Sequence, residues 1–311
     1  MEISGTFIDE ISHDIPHQNW GKKEWDADFF HMKKMGIDTL ILIRSGYRKF
    51  LTYPSDYLIK AGCYPPRQDL IGLFLELAQK HQMKLFLGTY DSGKYWDTGD
   101  MNYELEVNLR VIEEIQQKYG DHPNFSGWYL SQEISRKTKG AIEVISSLGA
   151  QCKAVSEGLP VLISPWIDGR KAVNSTTAET YKEASISLKE HESEWNEIFD
   201  GIKSGIDIVA FQDGQVALSE LQEYLYLNKQ LADKYNLTSW TNAESFDRDM
   251  PIKFFPIKFE KLLLKLEAAK KAGIEKAITF EFSHFMSPQS AYRQAGHLYN
   301  RYLEHFKDEH P

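Results

Sequence analysis

Eight times along the chain, a short apolar or β-branched run is followed by a segment whose apolar residues recur every three or four positions. The runs are Ile3–Ile8, Thr39–Ile43, Lys84–Gly88, the stretch around Trp128 that begins at Phe125, Pro160–Ser164, Asp207–Phe211, Thr238–Glu244 and Ala277–Phe282. Between them lie segments of helical period. Trp25, Phe29 and Met32 precede the C-cap residue Gly36, a helix is predicted over Asp69–His81, and Leu105, Leu109 and Ile112 share the face of a third. Ile142–Val155 follows, then helices through Trp195 and Ile198, through Leu221, Tyr224, Leu225 and Leu231, over Phe259–Ala272 with Gly273 as cap, and over Ser290–His305. A strand that must cross to a parallel neighbour needs a helix to do so, and eight such units close a sheet on itself. The expected fold is α/β, a (β/α)8 TIM barrel with long βα loops, in one domain over residues 1–311. An open doubly wound sheet would use fewer units and a glycine-rich phosphate turn after the first strand, and Gly5-Thr6-Phe7-Ile8-Asp9 is not that turn.

Charge and composition narrow the partners. The 311 residues are 42% hydrophobic and 26% charged, enough apolar material for a full core. A net charge of -9, with no Lys/Arg run, argues against a nucleic-acid partner. No stretch approaches the roughly 18 apolar residues of a membrane span, and Met1-Glu2-Ile3-Ser4-Gly5 enters a strand pattern directly, without a leader. A soluble protein is expected, cytoplasmic as the chain stands, or secreted or periplasmic if a leader has been removed. Cys63 and Cys152 do not form a disulfide framework, and the absence of Gly-x-Ser-x-Gly, Walker and Cys-x-x-Cys motifs lowers acyl transfer, nucleotide hydrolysis and dithiol chemistry. No cofactor is expected.

In a barrel of this kind the ends of the strands meet at one mouth, where the chemistry resides. The residues that follow the apolar runs are Asp9 and Glu10, Arg44, Tyr90 and Asp91, Gln132 and Glu133, Trp166 and Asp168, Gln212 and Asp213, Asn242 and Glu244, and Glu281 with His284. They make a carboxylate-rich, aromatic-rich and thiol-free rim. Glu133 and Glu244 stand on the fourth and seventh strands, opposite sides of an eight-stranded ring, so their carboxyl groups can converge on one bond. Glycoside hydrolysis needs such a pair, one acid to protonate the leaving oxygen and one carboxylate to attack or to activate water. A spacing of about 5–5.5 Å would imply retention of configuration, and about 6.5–9.5 Å inversion.

Glu133 preceded by an amide at the end of strand four, with Glu244 at the end of strand seven, resembles clan-A glycoside hydrolases. The resemblance implies Glu133 as acid/base and Glu244 as nucleophile, with a retaining outcome. Gln132 stands where those enzymes usually carry Asn against the sugar 2-hydroxyl, and Glu281 stands near their strand-eight Trp, which makes Glu281 an alternative catalytic partner for Glu133. The opening Ser4-Gly5-Thr6-Phe7-Ile8-Asp9 and the helix from Trp25 to Gly36 also resemble an uncharacterised bacterial family of glycosidase-like TIM barrels.

On this reading the partner is a carbohydrate, an oligo- or polysaccharide, bound by Asp9, Glu10, Arg44, Tyr90, Gln132, Gln212, Asp213, Asn242 and His284, with Trp166 as a platform. Glu281 lies in an apolar strand, where a carboxylate must find a partner or a proton, and Arg44 is a candidate partner, the two making a structural salt bridge on the plainer reading. Trp20, Tyr47, Tyr90, Trp96, Trp166 and Phe246 fall in loops where they suit the C–H face of a sugar, although packing is the commoner use of any one of them. Trp25, Trp128 and Trp195 belong to the core. Two other readings remain open: a carbohydrate-binding barrel without catalysis, and a metal-dependent sugar isomerase or lyase in which Glu133, Asp213, Glu244 and Glu281 hold Mg or Mn. His13 and His17 make a weak metal pair, because Pro16 breaks the helix that would align them.

Overall fold

A computed structural model describes the chain except for residues 14, 16, 100, 135–137, 170–185, 248–253 and 308–311, and except for the side chains of residues 96 and 97. Most of the polar loop read from Gly169 to Lys189 and the side chain of Trp96 therefore lie outside the described residues. Eight parallel strands close into a barrel: β1 (Ile3–Ile8), β2 (Thr39–Leu42), β3 (Lys84–Gly88), β4 (Phe125–Tyr129), β5 (Val161–Ile163), β6 (Ile208–Gln212), β7 (Thr238–Asn242) and β8 (Lys276–Thr279). Each pairs with its neighbour in sequence. The ring is closed by β8 on β1, with Ile3 opposite Ala277 and Thr6 opposite Thr279. The expected (β/α)8 TIM barrel is what the chain forms.

Eight principal helices follow the strands: α1 (Lys22–Met35), α2 (Leu70–His81), α3 (Asn102–Tyr119), α4 (Ala141–Val155), α5 (Leu188–Ile202), α6 (Leu218–Lys234), α7 (Phe259–Lys271) and α8 (Arg293–Phe306). Local chemistry sets their ends. The Asp69 carboxylate accepts the Gly72 amide at 2.9 Å and starts α2, a cap worth about 1 kcal/mol. Gly36 ends α1 at φ +99° and Gly273 follows α7 at φ +82°, a left-handed backbone that favours glycine. One expected helical face is corrected. The inner side of α3 is Glu104, Val107, Asn108, Val111, Ile112 and Ile115, while Leu105 and Leu109 are half-buried.

Alternation along the strands makes two cores. Phe7, Ile41, Ile43, Phe86, Tyr129, Leu162, Ile208, Ala210 and Ile278 fill the barrel interior, joined by Trp240 and Phe280. Their chain neighbours Ile8, Leu40, Leu42, Leu85, Leu87, Trp128, Val161, Ile163, Val209 and Phe211 face the helices. Gly127 is required between these layers, since a Cβ there would collide with the Phe86 ring. Trp25, Trp128 and Trp195 are fully buried in the outer layer, as expected of core residues. Each contributes roughly 1.5–3 kcal/mol or more by burial. Among the described residues, no helix is long and apolar enough to cross a membrane.

Candidate active site

A strand's side chains alternate between its two faces, so whichever residue points inward at the end of the apolar run fixes which later residues reach the mouth. On β1, Phe7 is inward and Asp9 follows two residues on. On β4, Tyr129 leads to Glu133, on β6 Ala210 leads to Gln212, on β7 Trp240 leads to Asn242 and Glu244, and on β8 Ile278 leads to Phe280. Of these, Phe7, Asp9, Tyr129, Glu133, Gln212, Asn242, Glu244 and Phe280 line a cavity of about 300 Å³ at the C-terminal mouth of the barrel, together with Ser12, His13, Ile43, Arg44, Tyr47, Arg48, Phe246 and Phe254. Its floor is apolar, formed by Phe7, Ile43, Tyr129 and Phe280, and its upper wall is polar.

Glu133 and Glu244 both border this cavity. Glu133 is the more open, with 24% of its side chain exposed, whereas Glu244 is 2% exposed. The Glu244 carboxylate lies against Gly214, where any Cβ would overlap it. Glu244 also borders a pocket of about 30 Å³ behind the main one, shared with Asp213, Lys261 and Lys265. Its backbone is held from behind: the Glu244 amide donates to Asp213 at 3.1 Å, and the buried Lys265 ammonium bridges Asp213 at 2.7 Å and the Glu244 carbonyl at 3.0 Å. Burial raises the Asp213 carboxyl above its ordinary value, with Lys265 opposing and the Glu244 charge adding to the rise.

Arg44 lies past the last paired residue of β2 and reaches into the cavity. Its Nε meets Asp91 at 3.1 Å, its Nη1 donates to Ser12 at 2.7 Å, and Glu133 and Asp9 lie at 3.7 Å and 3.9 Å. Burial works against its charge, yet Asp91, Glu133 and Asp9 hold the guanidinium protonated, above its ordinary range. Burial likewise raises the Tyr129 phenol on the cavity floor, with the Glu133 charge adding to it. Two buried acceptors of cavity-lining residues, Asp9 Oδ2 and Asn242 Oδ1, have no hydrogen-bond partner among the described residues. A buried acceptor without a partner costs on the order of 1–3 kcal/mol, so both atoms strain the wall of the cavity.

Several expected contacts fall elsewhere, and parity is the reason for most. Gln132 faces the seam, bonded to Thr89 at 3.1 Å and to the Tyr90 carbonyl at 2.7 Å, so it does not reach a sugar 2-hydroxyl. Glu10 accepts the amides of Gln18 and Asn19 at 3.0 and 2.7 Å and folds the following loop. Asp213 is taken by Lys265. Glu281 is fully buried beyond β8 and pairs with His284, not with Arg44, so neither lines the cavity. The four-carboxylate metal set is therefore split, with Glu133 and Glu244 at the cavity and Asp213 and Glu281 turned away.

The loop aromatics divide as well. Tyr47 and Phe246 line the cavity, and Trp20 packs edge-on against Trp25 at 4.9 Å. Tyr90 is buried, and its hydroxyl donates to the Arg48 carbonyl at 2.6 Å instead of meeting substrate. Trp166 is half-buried, its indole N–H donating to Asp168 at 3.2 Å, and it is not among the cavity's lining residues. His13 stacks on Tyr47 and His17 packs against Phe50. Ser12, Arg48, Phe254 and Phe280 went unnoticed in the sequence. Phe280 was readable from the parity of β8, but the others sit on loops whose path no periodicity gives.

A parallel barrel with two glutamates, an aspartate and an arginine around a mouth of this size defines a class: a (β/α)8 barrel with a carboxylate-lined cleft at its C-terminal face. The chain belongs to the family described as domain of unknown function (DUF4434), whose model matches residues 3–292. It is 62% identical, with a TM-score of 0.95, to a putative alpha-L-fucosidase from Bacteroides thetaiotaomicron VPI-5482, over 99% of this chain and 94% of that one. An endo-1,4-beta-mannanase from Rhizomucor miehei is 11% identical with a TM-score of 0.61, over 90% of this chain and 86% of that one. A beta-D-glucuronidase from Dictyoglomus thermophilum is 14% identical with a TM-score of 0.54, over 97% of this chain and 50% of that one. At these two lower identities the likeness is of fold alone. No curated protein matches the chain.

Proposed function

We propose that the protein is a glycoside hydrolase in which Glu133 is the acid/base and Glu244 the nucleophile. The observation that carries this reading is the meeting of both glutamates at one cavity, with the Arg44 guanidinium beside Glu133 and Asp9, Gln212 and Asn242 also in its wall. The difference in exposure supports these roles. An acid/base must exchange protons with solvent and face the departing group, which suits the more open Glu133. A nucleophile must be fixed and shielded, which suits Glu244 with its backbone tied to Asp213 and Lys265.

In the proposed reaction a sugar enters with its C–H face on the apolar floor and its hydroxyls toward the polar wall. Glu244 attacks the anomeric carbon as Glu133 gives its proton to the leaving oxygen. Water then enters from the open side, loses a proton to Glu133 and releases the sugar with its configuration retained. The description of the 62%-identical relative makes α-L-fucosides the first substrates to try, and the floor of Phe7, Ile43, Tyr129 and Phe280 offers apolar surface to the methyl group of a deoxysugar. The test is a screen of aryl glycosides and oligosaccharides against the wild type and Glu133→Gln, with the product anomer read by NMR. Turnover that is the same in both proteins, or an inverted product, overturns the assignment. Binding without hydrolysis of any probe would leave a sugar-binding barrel.

A further inference from the structure

One wall of the cavity continues outward as a strip of aromatic surface. After β2 the chain forms a two-stranded hairpin, Gly46–Tyr47 with Phe50–Leu51, in which Tyr47 is directly opposite Phe50. Directly opposed residues put their side chains on the same face. Leu51 turns into the core with its partner Gly46, and Phe50 stands beside Tyr47 on the other face. Tyr47 lines the cavity, but Phe50 is 50% exposed. The ring of Tyr64, itself 53% exposed, meets Phe50 edge-on at 5.7 Å, and His17 meets the same ring at 6.3 Å. Among the described residues, Phe50 and Tyr64 are the one pair of large exposed aromatics in contact with each other.

The strip is held in place by the fold. The Arg48 amide donates to the Asp91 carbonyl at 2.8 Å, the Tyr90 hydroxyl to the Arg48 carbonyl at 2.6 Å, and the Tyr64 amide to the Lys49 carbonyl at 2.8 Å. Two rings held together half in water beside the cavity offer aromatic faces suited to the C–H face of a sugar. Their side of the cavity is informative. Arg44 lies 5.2 Å from the Tyr47 ring centre and 3.7 Å from Glu133, so the hairpin borders the flank on which Glu133 stands.

Resting on the glycosidase reading, we propose that Phe50 and Tyr64 form an outer subsite for the sugars on the leaving-group side of the scissile bond. The substrate is then a glycan chain that runs from the cavity over Tyr47 onto this strip, its C–H faces stacked on the two rings.

The experiment compares wild type with the Phe50→Ala/Tyr64→Ala double variant. The probes are a chromogenic monosaccharide glycoside and an oligosaccharide of three to five residues ending in the same sugar. Both positions are at the surface, so thermal unfolding should be unchanged. The loss in kcat/KM on the oligosaccharide is expected to exceed that on the chromogenic glycoside by about tenfold, mostly in KM. Equal losses on both probes, or none on the oligosaccharide, overturn the subsite. If the wild type hydrolyses neither probe, the glycosidase reading fails by itself. The subsite is then judged by calorimetric binding of the same oligosaccharide, where affinity lost in the double variant supports it and absence of wild-type affinity overturns it. A dimer in sedimentation that the double variant abolishes would make the strip a protein interface and also overturn the proposal.

Discussion

Two regions of the molecule hold buried carboxylates, and they differ in whether the oxygens are used. Behind β8, Asp28 on α1 accepts hydrogen bonds from Ser283 at 2.8 Å and from Ser287, while both Glu281 oxygens are engaged by the ring and the amide of His284. Every acceptor in that cluster has a donor from the chain. At the mouth, Asp9 Oδ2 and Asn242 Oδ1 have none among the described residues, and one guanidinium is shared by Asp91, Glu133 and Asp9. A closed set of hydrogen bonds specifies a fold, whereas an incompletely satisfied set beside a cavity, with Glu133 24% exposed to it, is suited to a ligand. Glu281 and Glu133 look alike in the sequence, and their surroundings separate them.

The strongest way to break that contrast is to exchange carboxylates for amides on each side. Glu244→Gln is expected to give the deepest loss of turnover, with no glycosyl-enzyme trapped by a slow substrate in mass spectrometry. Glu133→Gln should cost about 10²- to 10⁴-fold on substrates with poor leaving groups. Activated aryl glycosides should suffer less, because their leaving groups need little protonation. Glu281→Gln should leave kcat nearly unchanged and lower the melting temperature, as expected for loss of a charged buried hydrogen bond worth about 1.5–3 kcal/mol. Were Glu281→Gln to abolish turnover while the protein stayed folded, and Glu133→Gln to leave it intact, the contrast would be reversed.

The barrel was legible because its signal is repeated: eight strand-helix units, with Trp25, Trp128 and Trp195 correctly placed in the outer core. The residues around the cavity were legible in position but not in facing. Taking both neighbours at each strand end gathered Glu10, Gln132 and Asp213 along with Asp9, Glu133 and Gln212. A period of two sends one of each pair into the seam. Carrying the alternation past Phe7, Tyr129 and Ala210 would have separated them. Arg44, Arg48 and the aromatic hairpin lie beyond the paired strands, where contacts distant in sequence decide facing, and a residue such as Tyr90 can be claimed by a neighbouring turn.

A smaller effect on turnover should come from behind Glu244, the proposed nucleophile. Lys265 is buried against Asp213 and the Glu244 carbonyl, so Lys265→Met leaves Asp213 buried without its cation. Removing one partner of a buried pair typically costs 3–5 kcal/mol, and chemical denaturation would read it. Because the same contacts position Glu244, kcat should fall several-fold while KM stays nearly constant. A stable Lys265→Met protein with full kcat would show that Glu244 is held by other means.

The smallest effect concerns the closed cluster, and it appears as a dependence on pH. Burial raises the Asp28 carboxyl from an ordinary 3.8 to about 7, with the Ser287 and Ser283 hydrogen bonds opposing and the Glu281 charge adding to the rise. Between about pH 4 and 7 the folded protein therefore holds a proton that the unfolded chain has released. Stability then falls as pH rises through that window and levels off above it. Three pKa units correspond to roughly 4 kcal/mol. Burial also raises Glu10, Glu104 and Asp213, so the wild-type slope has other contributors. Asp28→Asn mimics the protonated acid, with one donor and one acceptor toward the two serines, and cannot ionise. Its melting temperature should drop less between pH 5 and 7.5 than that of the wild type, while activity at the mouth is retained. Parallel melting curves for the two proteins would mean that Asp28 is ionised in the fold and that the cluster behind β8 is not closed by a proton.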